Sequence, residues 1–209
     1  MVAGGAPGPW GVVASDLATQ RLFRVQARQG GDDATLRLVL RLAAQERFEL
    51  AASDALGRPL WSLTVDDGAG RWVAAGGRAG CRFDPERTIR LARFDWGLPA
   101  RDLAAALVGR VPEPPAETGT GLAIEYLDGS GRRWSARRDG RGPLRWTLYQ
   151  AGAPSLWWER SEGGGVLSAR DADLQIRWRE TAREPLAGEG PRVAAEAASE
   201  PECDGAELS

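Results

Sequence analysis

Carboxylates, thiols and glycine-rich turns are the groups through which this chain could do chemistry. The acidic candidates are Asp66 with Asp67, Asp128, and Asp171 with Asp173. Paired carboxylates can serve as general acid and base, or hold Ca²⁺. Each of these sits beside Gly or Ala in a stretch that reads as a turn. Asp is favoured there because its side chain bonds the local backbone. Turn formation is the simpler reading, so no catalytic and no metal-ligating residue is assigned. Gly76-Gly77 and Gly163-Gly164-Gly165 precede no helix carrying a lysine, so neither has the form of a phosphate loop. Cys81 and Cys203 are too few for a four-thiolate zinc or iron–sulfur site. Cys203 falls in a stretch that reads as a tail, so no structural disulfide with Cys81 is expected.

What is missing excludes more. The 209 residues contain no His, and the 27 basic residues are all arginine. There is no histidine base, no Ser-His-Asp or Cys-His nucleophile and no His-ligated metal. No cofactor is expected. Lysine and asparagine codons both begin with two A's, so a GC-rich genome accounts for the arginine bias. A net charge of −2 gives no field that would recruit nucleic acid. Arg132, Arg133, Arg137, Arg138, Arg141 and Arg145 form a local cluster. Its simpler reading is a solvated strand face; the alternative is contact with anionic lipid head groups. No apolar run approaches the roughly 18 residues that span a bilayer. Residues 1–9 lack the basic and apolar regions of a signal peptide.

The elements that must position these groups are mostly strands. Residues 35–42 alternate, with Leu36, Leu38, Leu40 and Leu42 on one face and Arg37 and Arg41 on the other. A period of two means one apolar and one wet face. Alternation recurs at 21–28, 46–52, 60–65, 71–75, 121–127, 133–138, 144–149, 155–160, 166–170 and 174–179. Turn residues separate the runs about every 8–12 residues, the spacing of a sandwich or barrel. At 155–160, Trp157 and Trp158 must point to opposite faces. The pattern breaks at 99–110, where Pro99, Leu103, Leu107 and Gly109 read as a capped amphipathic helix. Residues 10–19 are a short helix or an extended lead-in, and 111–120 is a proline-rich loop. Residues 1–14 read as a flexible segment, 15–186 as one domain and 187–209 as a disordered tail. About ten strands with one apolar face exceed what stays flat, so the sheet should curl. The fold expected is mainly β (α+β): a curled antiparallel sheet forming a half-open barrel, with the helix as its lid.

Three stretches resemble the LolA/LolB superfamily of lipoprotein carriers, nearer the outer-membrane receptor LolB. The first is Arg47-Phe48-Glu49-Leu50 followed by Asp54-Ala55-Leu56-Gly57. The second is Gly97-Leu98-Pro99 running through Leu103, Leu107, Val108 and Gly109 to Val111-Pro112. The third is Ile124-Glu125-Tyr126 with residues 131–135. Their order and spacing, across about 15–185, carry the resemblance. It implies a non-enzymatic half-barrel that accepts lipoprotein acyl chains in an apolar cavity. It also implies a periplasmic setting at the inner leaflet of the outer membrane, with a LolA-like carrier as a partner and a monomeric chain. Leu56 matches the family's exposed loop leucine, which hands cargo to the membrane. Ala55 stands where the family carries proline, and the receptor's lipobox cysteine is not among these residues.

Acyl chains need a dry apolar concavity, and a curled sheet supplies one. The cavity lining is expected from Leu36, Leu38, Leu40, Phe48, Leu50, Trp134, Trp146, Leu148, Ile176 and Trp178. Leu103 and Leu107 should close it as the lid. A module for another lipid or glycolipid, or a barrel simply filled with side chains, remains a rival reading of the same pattern.

Overall fold

One parity of each long strand turns inward, and this sets the architecture. The computed structural model describes residues 18–44, 47–76, 80–85, 88–90, 97–109, 123–127, 131–138, 144–150, 152–161, 163–170, 173–188, 190–193 and 199–203. β1 (Thr19–Gln29) buries Phe23, Val25 and Ala27 between exposed Arg24, Gln26 and Arg28. β2 (Asp32–Ala44), β3 (Arg47–Asp54) and β4 (Pro59–Asp66) follow the same rule, burying Leu38, Leu40, Phe48, Leu50, Trp61 and Leu63. β5 (Ala69–Ala74) and β6 (Cys81–Phe83) complete a meander. A small two-stranded sheet of β7 (Thr88–Arg90) and β8 (Gly97–Pro99) then leads into α1 (Ala100–Val108). The second meander is β9 (Ala123–Leu127), β10 (Arg133–Arg138), β11 (Leu144–Gln150), β12 (Ala153–Ser161), β13 (Gly164–Ala169) and β14 (Leu174–Pro185).

Antiparallel pairing of β1 with β14 joins the two meanders into one sheet of 12 strands, with β6 and β9 at its edges. Val25 stands opposite Leu36 on β2 and Trp178 on β14. So wide a sheet curls, because each strand pair adds twist. The molecule is a mainly β, half-open barrel with one short helix, as the alternation implies. Helix α1 buries Leu103, Ala104, Ala106, Leu107 and Val108 against the concave face. Pro99 stands at its N-cap, and Gly109 ends it in the left-handed region at φ 75°.

Arg24, Arg28, Arg37 and Arg41 lie on the wet face, whereas Arg21 is fully buried. Arg41–Glu49 (2.9 Å), Arg47–Asp66 (3.1 Å) and Arg145–Glu159 (2.7 Å) are ion pairs between residues directly opposite in register. Each contributes about 0.2–1 kcal/mol and fixes strand pairing more than it adds stability. Of the arginine cluster, Arg133 pairs with Glu125 and Arg145 with Glu159 on this face. Arg132 instead turns to the lid, as described below.

Two expectations fail at the C-terminus. Cys81 and Cys203 form a disulfide, and the chain there is a strap rather than a detached tail. The Arg82 amide donates to the Pro201 carbonyl, and the Cys203 amide donates to the Arg82 carbonyl, both at 2.8 Å. The Arg71 guanidinium grips the Glu200 carboxylate, which also accepts from the Gly80 amide. The strap therefore covers the exposed edge of β6, satisfying groups that would otherwise invite another strand. The reason for the error is that pairing between residues 122 positions apart leaves no local periodic trace. Higher up, the Val193 amide donates to Asp66. The short strands β6, β7 and β8 also escaped the sequence reading, since three residues cannot display a period. β14 runs to Pro185, well past the expected 179. Residues 10–17 of the lead-in, the 111–120 loop, Asp128, Arg141 and Asp171 lie outside the described residues.

Candidate functional site: a lidded apolar cavity

The inward faces do not fill the whole barrel. A cavity of about 520 Å³ lies beneath α1, within the size range of small-molecule sites. Val25, Leu36, Leu38, Leu60, Trp61, Trp72, Leu167, Ile176 and Trp178 form its walls. Leu103, Ala106 and Leu107 form its roof. Four positions where larger residues would fill the space are Ala27, Ala34, Ala74 and Ala106. Asp33, Thr35, Asp54 and Arg58 mark the rim, where the β1–β2 hairpin and the β3–β4 turn lie side by side.

The lid is pinned at both ends. Asp102, in its first turn, pairs with Arg132 at 2.8 Å; an acid there also complements the helix dipole. Arg132 in turn lies over the Trp134 ring at 5.4 Å. At the other end Arg160 donates to the Leu107 carbonyl at 2.7 Å, capping the helix with a cation. The same guanidinium reaches Glu180 at 3.5 Å, and Glu180 also meets fully buried Arg21 at 3.6 Å. Gly109 lets this happen: a Cβ there would collide with the Arg160 side chain.

On the rim, Asp54 organises the β3–β4 turn. Its carboxylate accepts from the Leu56 and Arg58 amides, both at 2.9 Å, and from the Arg58 Nε at 2.6 Å. The Arg58 backbone amide and guanidinium hold the Asp54 carboxyl below its ordinary range. The turn fixed in this way leaves Leu56 80 % exposed beside the cavity mouth. Arg28 likewise holds Asp33 below the ordinary carboxylate range through a two-pronged pair at 2.7 and 3.3 Å.

Of the residues expected to line a cavity, Leu36, Leu38, Ile176 and Trp178 lie on its wall, and Leu103 and Leu107 on its roof. Leu40, Phe48, Leu50, Trp134, Trp146 and Leu148 are buried but stand away from it. They form the solid part of the interior. Trp157 and Trp158 do face opposite ways, at 42 % and 1 % exposure. Sequence reasoning missed Val25, Leu60, Trp61, Trp72 and Leu167, although all but Leu60 are buried wall positions on their strands. It also missed the clue in the inward alanines.

Among the described residues, no group of three or more Cys, Asp or Glu is placed to hold a metal ion. No helix among them is long and apolar enough to cross a membrane. No known protein family matches the chain, and no curated protein matches it in sequence. Among solved structures it is similar to a beta-barrel-like protein of domain of unknown function DUF1849 from Brucella abortus. That match has 9 % identity and a TM-score of 0.29, and covers 81 % of this chain and 98 % of the other.

Proposed function

We propose that the protein is a non-enzymatic acyl-chain carrier of the LolA/LolB kind, which receives lipoprotein chains and delivers them to the outer membrane. The observation that carries this reading is the lidded apolar cavity of about 520 Å³ opening beside the exposed Leu56. Each buried methylene contributes about 0.8 kcal/mol, so an apolar enclosure is sufficient to hold a chain without reactive groups. The rim carboxylates Asp33 and Asp54 are each engaged by an arginine and depressed in pKa, which suits ion pairing better than proton transfer. A disulfide fits an oxidising compartment, in keeping with a periplasmic site of action. Leu56 then serves as the residue that enters the membrane surface, and a LolA-like carrier is the upstream partner.

The test is delivery. Purified, delipidated protein is loaded with a lipoprotein and mixed with liposomes. Wild type should transfer the cargo, whereas Leu56→Glu should keep its fold and cargo binding but lose most transfer. A Leu56→Glu protein that delivers like wild type would overturn the role of the loop. A wild-type protein that takes up no acylated cargo would overturn the carrier reading.

A further inference from the structure

Where two arginines meet across this sheet, a carboxylate is usually at hand. Arg71 stands opposite Arg82 and holds Glu200. Arg145 stands opposite Arg137 and holds Glu159. Arg21 and Arg183, also opposite each other, share Glu180. One row on the outer face departs from this rule. Arg179 on β14, Arg24 on β1 and Arg37 on β2 stand directly opposite one another. All three are exposed, and none makes an ion pair among the described residues. With strands about 4.8 Å apart, three cations fall within about 10 Å. Like charges directly opposite on a sheet are destabilising, so this row works against the fold that carries it.

The flanking carboxylates of this face do not relieve it. They stand four residues along β1 from Arg24 on either side, about 13 Å away. Asp33 is held by Arg28 and Glu49 by Arg41, while Glu184 lies opposite Gln20. Glu180, next to Arg179 in sequence, is shared by buried Arg21 and by Arg160. Arg177, opposite Gln26, adds a fourth cation and donates to the neutral Gln175 at 3.0 Å. A shallow groove runs beside Arg24 and Arg37, and Leu22 and Val39, opposite each other in register, form an apolar strip along it. Ala55 also lines this groove, one residue from the exposed Leu56 in the β3–β4 turn.

We infer that this row docks the protein on an anionic phospholipid bilayer, with its guanidinia on the lipid phosphates and the Leu56 turn beside them. The inference rests on the delivery reading above and names the surface on which delivery takes place. A guanidinium matches phosphate in a forked geometry. Basic residues next to an apolar strip are what a bilayer interface accepts. The chain as a whole carries a net charge of −2, so attraction to an anionic surface needs a local concentration of cations such as this one. An acidic protein would answer the cations but not the apolar strip and the loop leucine beside them.

The test is co-sedimentation of the cargo-free, full-length protein with vesicles of phosphatidylcholine alone or of phosphatidylcholine and phosphatidylglycerol in equal parts. Wild type should prefer the anionic vesicles, and the preference should shrink as salt shortens the range of the field. At about five-fold per arginine, Arg24→Gln with Arg37→Gln should weaken anionic binding by about 25-fold. Thermal stability should hold or rise, because the substitutions relieve like-charge repulsion. Arg133→Gln with Arg145→Gln removes the same charge from the β10–β11 side and should leave vesicle binding nearly unchanged. An equal loss from that pair would overturn the row as the site, since net charge alone would then explain it. No preference for anionic vesicles would overturn the inference, while the cargo-delivery assay would still decide the carrier reading separately. Retention on polyglutamate without any vesicle preference would point to an acidic protein partner and overturn the bilayer as the occupant.

Discussion

Two regions of one barrel use the same residue types and end differently. On the β10–β12 side, Trp134, Trp146 and Trp158 interlock edge to face, with centroids 5.3 and 4.6 Å apart, and leave no room. On the other side, Trp61 and Trp72 stack at 5.0 Å, and with Trp178 they surround empty space. Hydrophobicity does not separate the regions, since both are apolar. What separates them is the company the large residues keep. Leu148 and Leu156, opposite each other on β11 and β12, complete the solid part, whereas Ala27, Ala34, Ala74 and Ala106 line the hollow one. Small inward residues create the cavity, and large ones elsewhere supply the stability it forgoes.

The sharpest way to break this comparison is a crossed pair of substitutions. Trp158→Ala removes the ring that touches both other indoles, and should lower stability by about 3–5 kcal/mol in denaturant titration. Ile176→Trp adds bulk where space already exists, and should shift stability by no more than about 1 kcal/mol while eliminating binding of a fatty-acid probe. If Ile176→Trp unfolded the protein as Trp158→Ala does, the cavity would not be vacant volume, and the two regions would be alike.

The strands on both sides were legible in the sequence for the same reason. A half-buried strand writes its inward parity as alternation, and Leu36, Leu38 and Leu40 show it plainly. Helix α1 was legible from Pro99, the Leu103–Leu107 spacing and Gly109. The location of the cavity was not, because parity says which residues face inward but not where their summed volume falls short. Leu40 and Leu36 have the same identity and parity; only their neighbours make one solid core and the other cavity wall. The pairing of β1 with β14, between residues far apart in the chain, leaves no local trace either. The close packing of Trp178 on β13 needs a residue without a side chain, since a Cβ on Gly165 would collide with the ring. In sequence that glycine reads only as part of a loop-like triplet.

The disulfide sharpens the comparison from the hollow side. It ties the strap to β6, and β6 pairs with β5, which carries Trp72 and Ala74 on the cavity wall. A loop closed over 122 residues is worth about 2–4 kcal/mol. Cys203→Ser should lower stability by that amount. Hydrogen exchange should show where: amides of β5 and β6 lose protection first, and those of β11 and β12 keep theirs. Probe affinity should fall with the loosened wall. Uniform loss of protection across both regions would mean that the strap holds the whole barrel rather than its hollow side.

The smallest effect belongs to the rim and is set by pH. Asp54 titrates below its ordinary value because the Arg58 amide, the Arg58 guanidinium and the Leu56 amide all favour its charged form. A group with a depressed folded pKa contributes its stability above the unfolded value, near 3.9, and loses it as pH falls through the folded one. The turn should therefore hold its shape from neutrality down to about pH 4. Below that, protonation releases the bonds to Leu56 and Arg58, and the protection factors of those two amides should fall while those of the tryptophan cluster stay constant. Asp54→Asn keeps one acceptor oxygen but no charge, and should show the loosened turn at neutral pH with no further change on acidification. If the wild-type loss were instead centred above the ordinary carboxylate value, the charge on Asp54 would not be what presents Leu56 at the mouth.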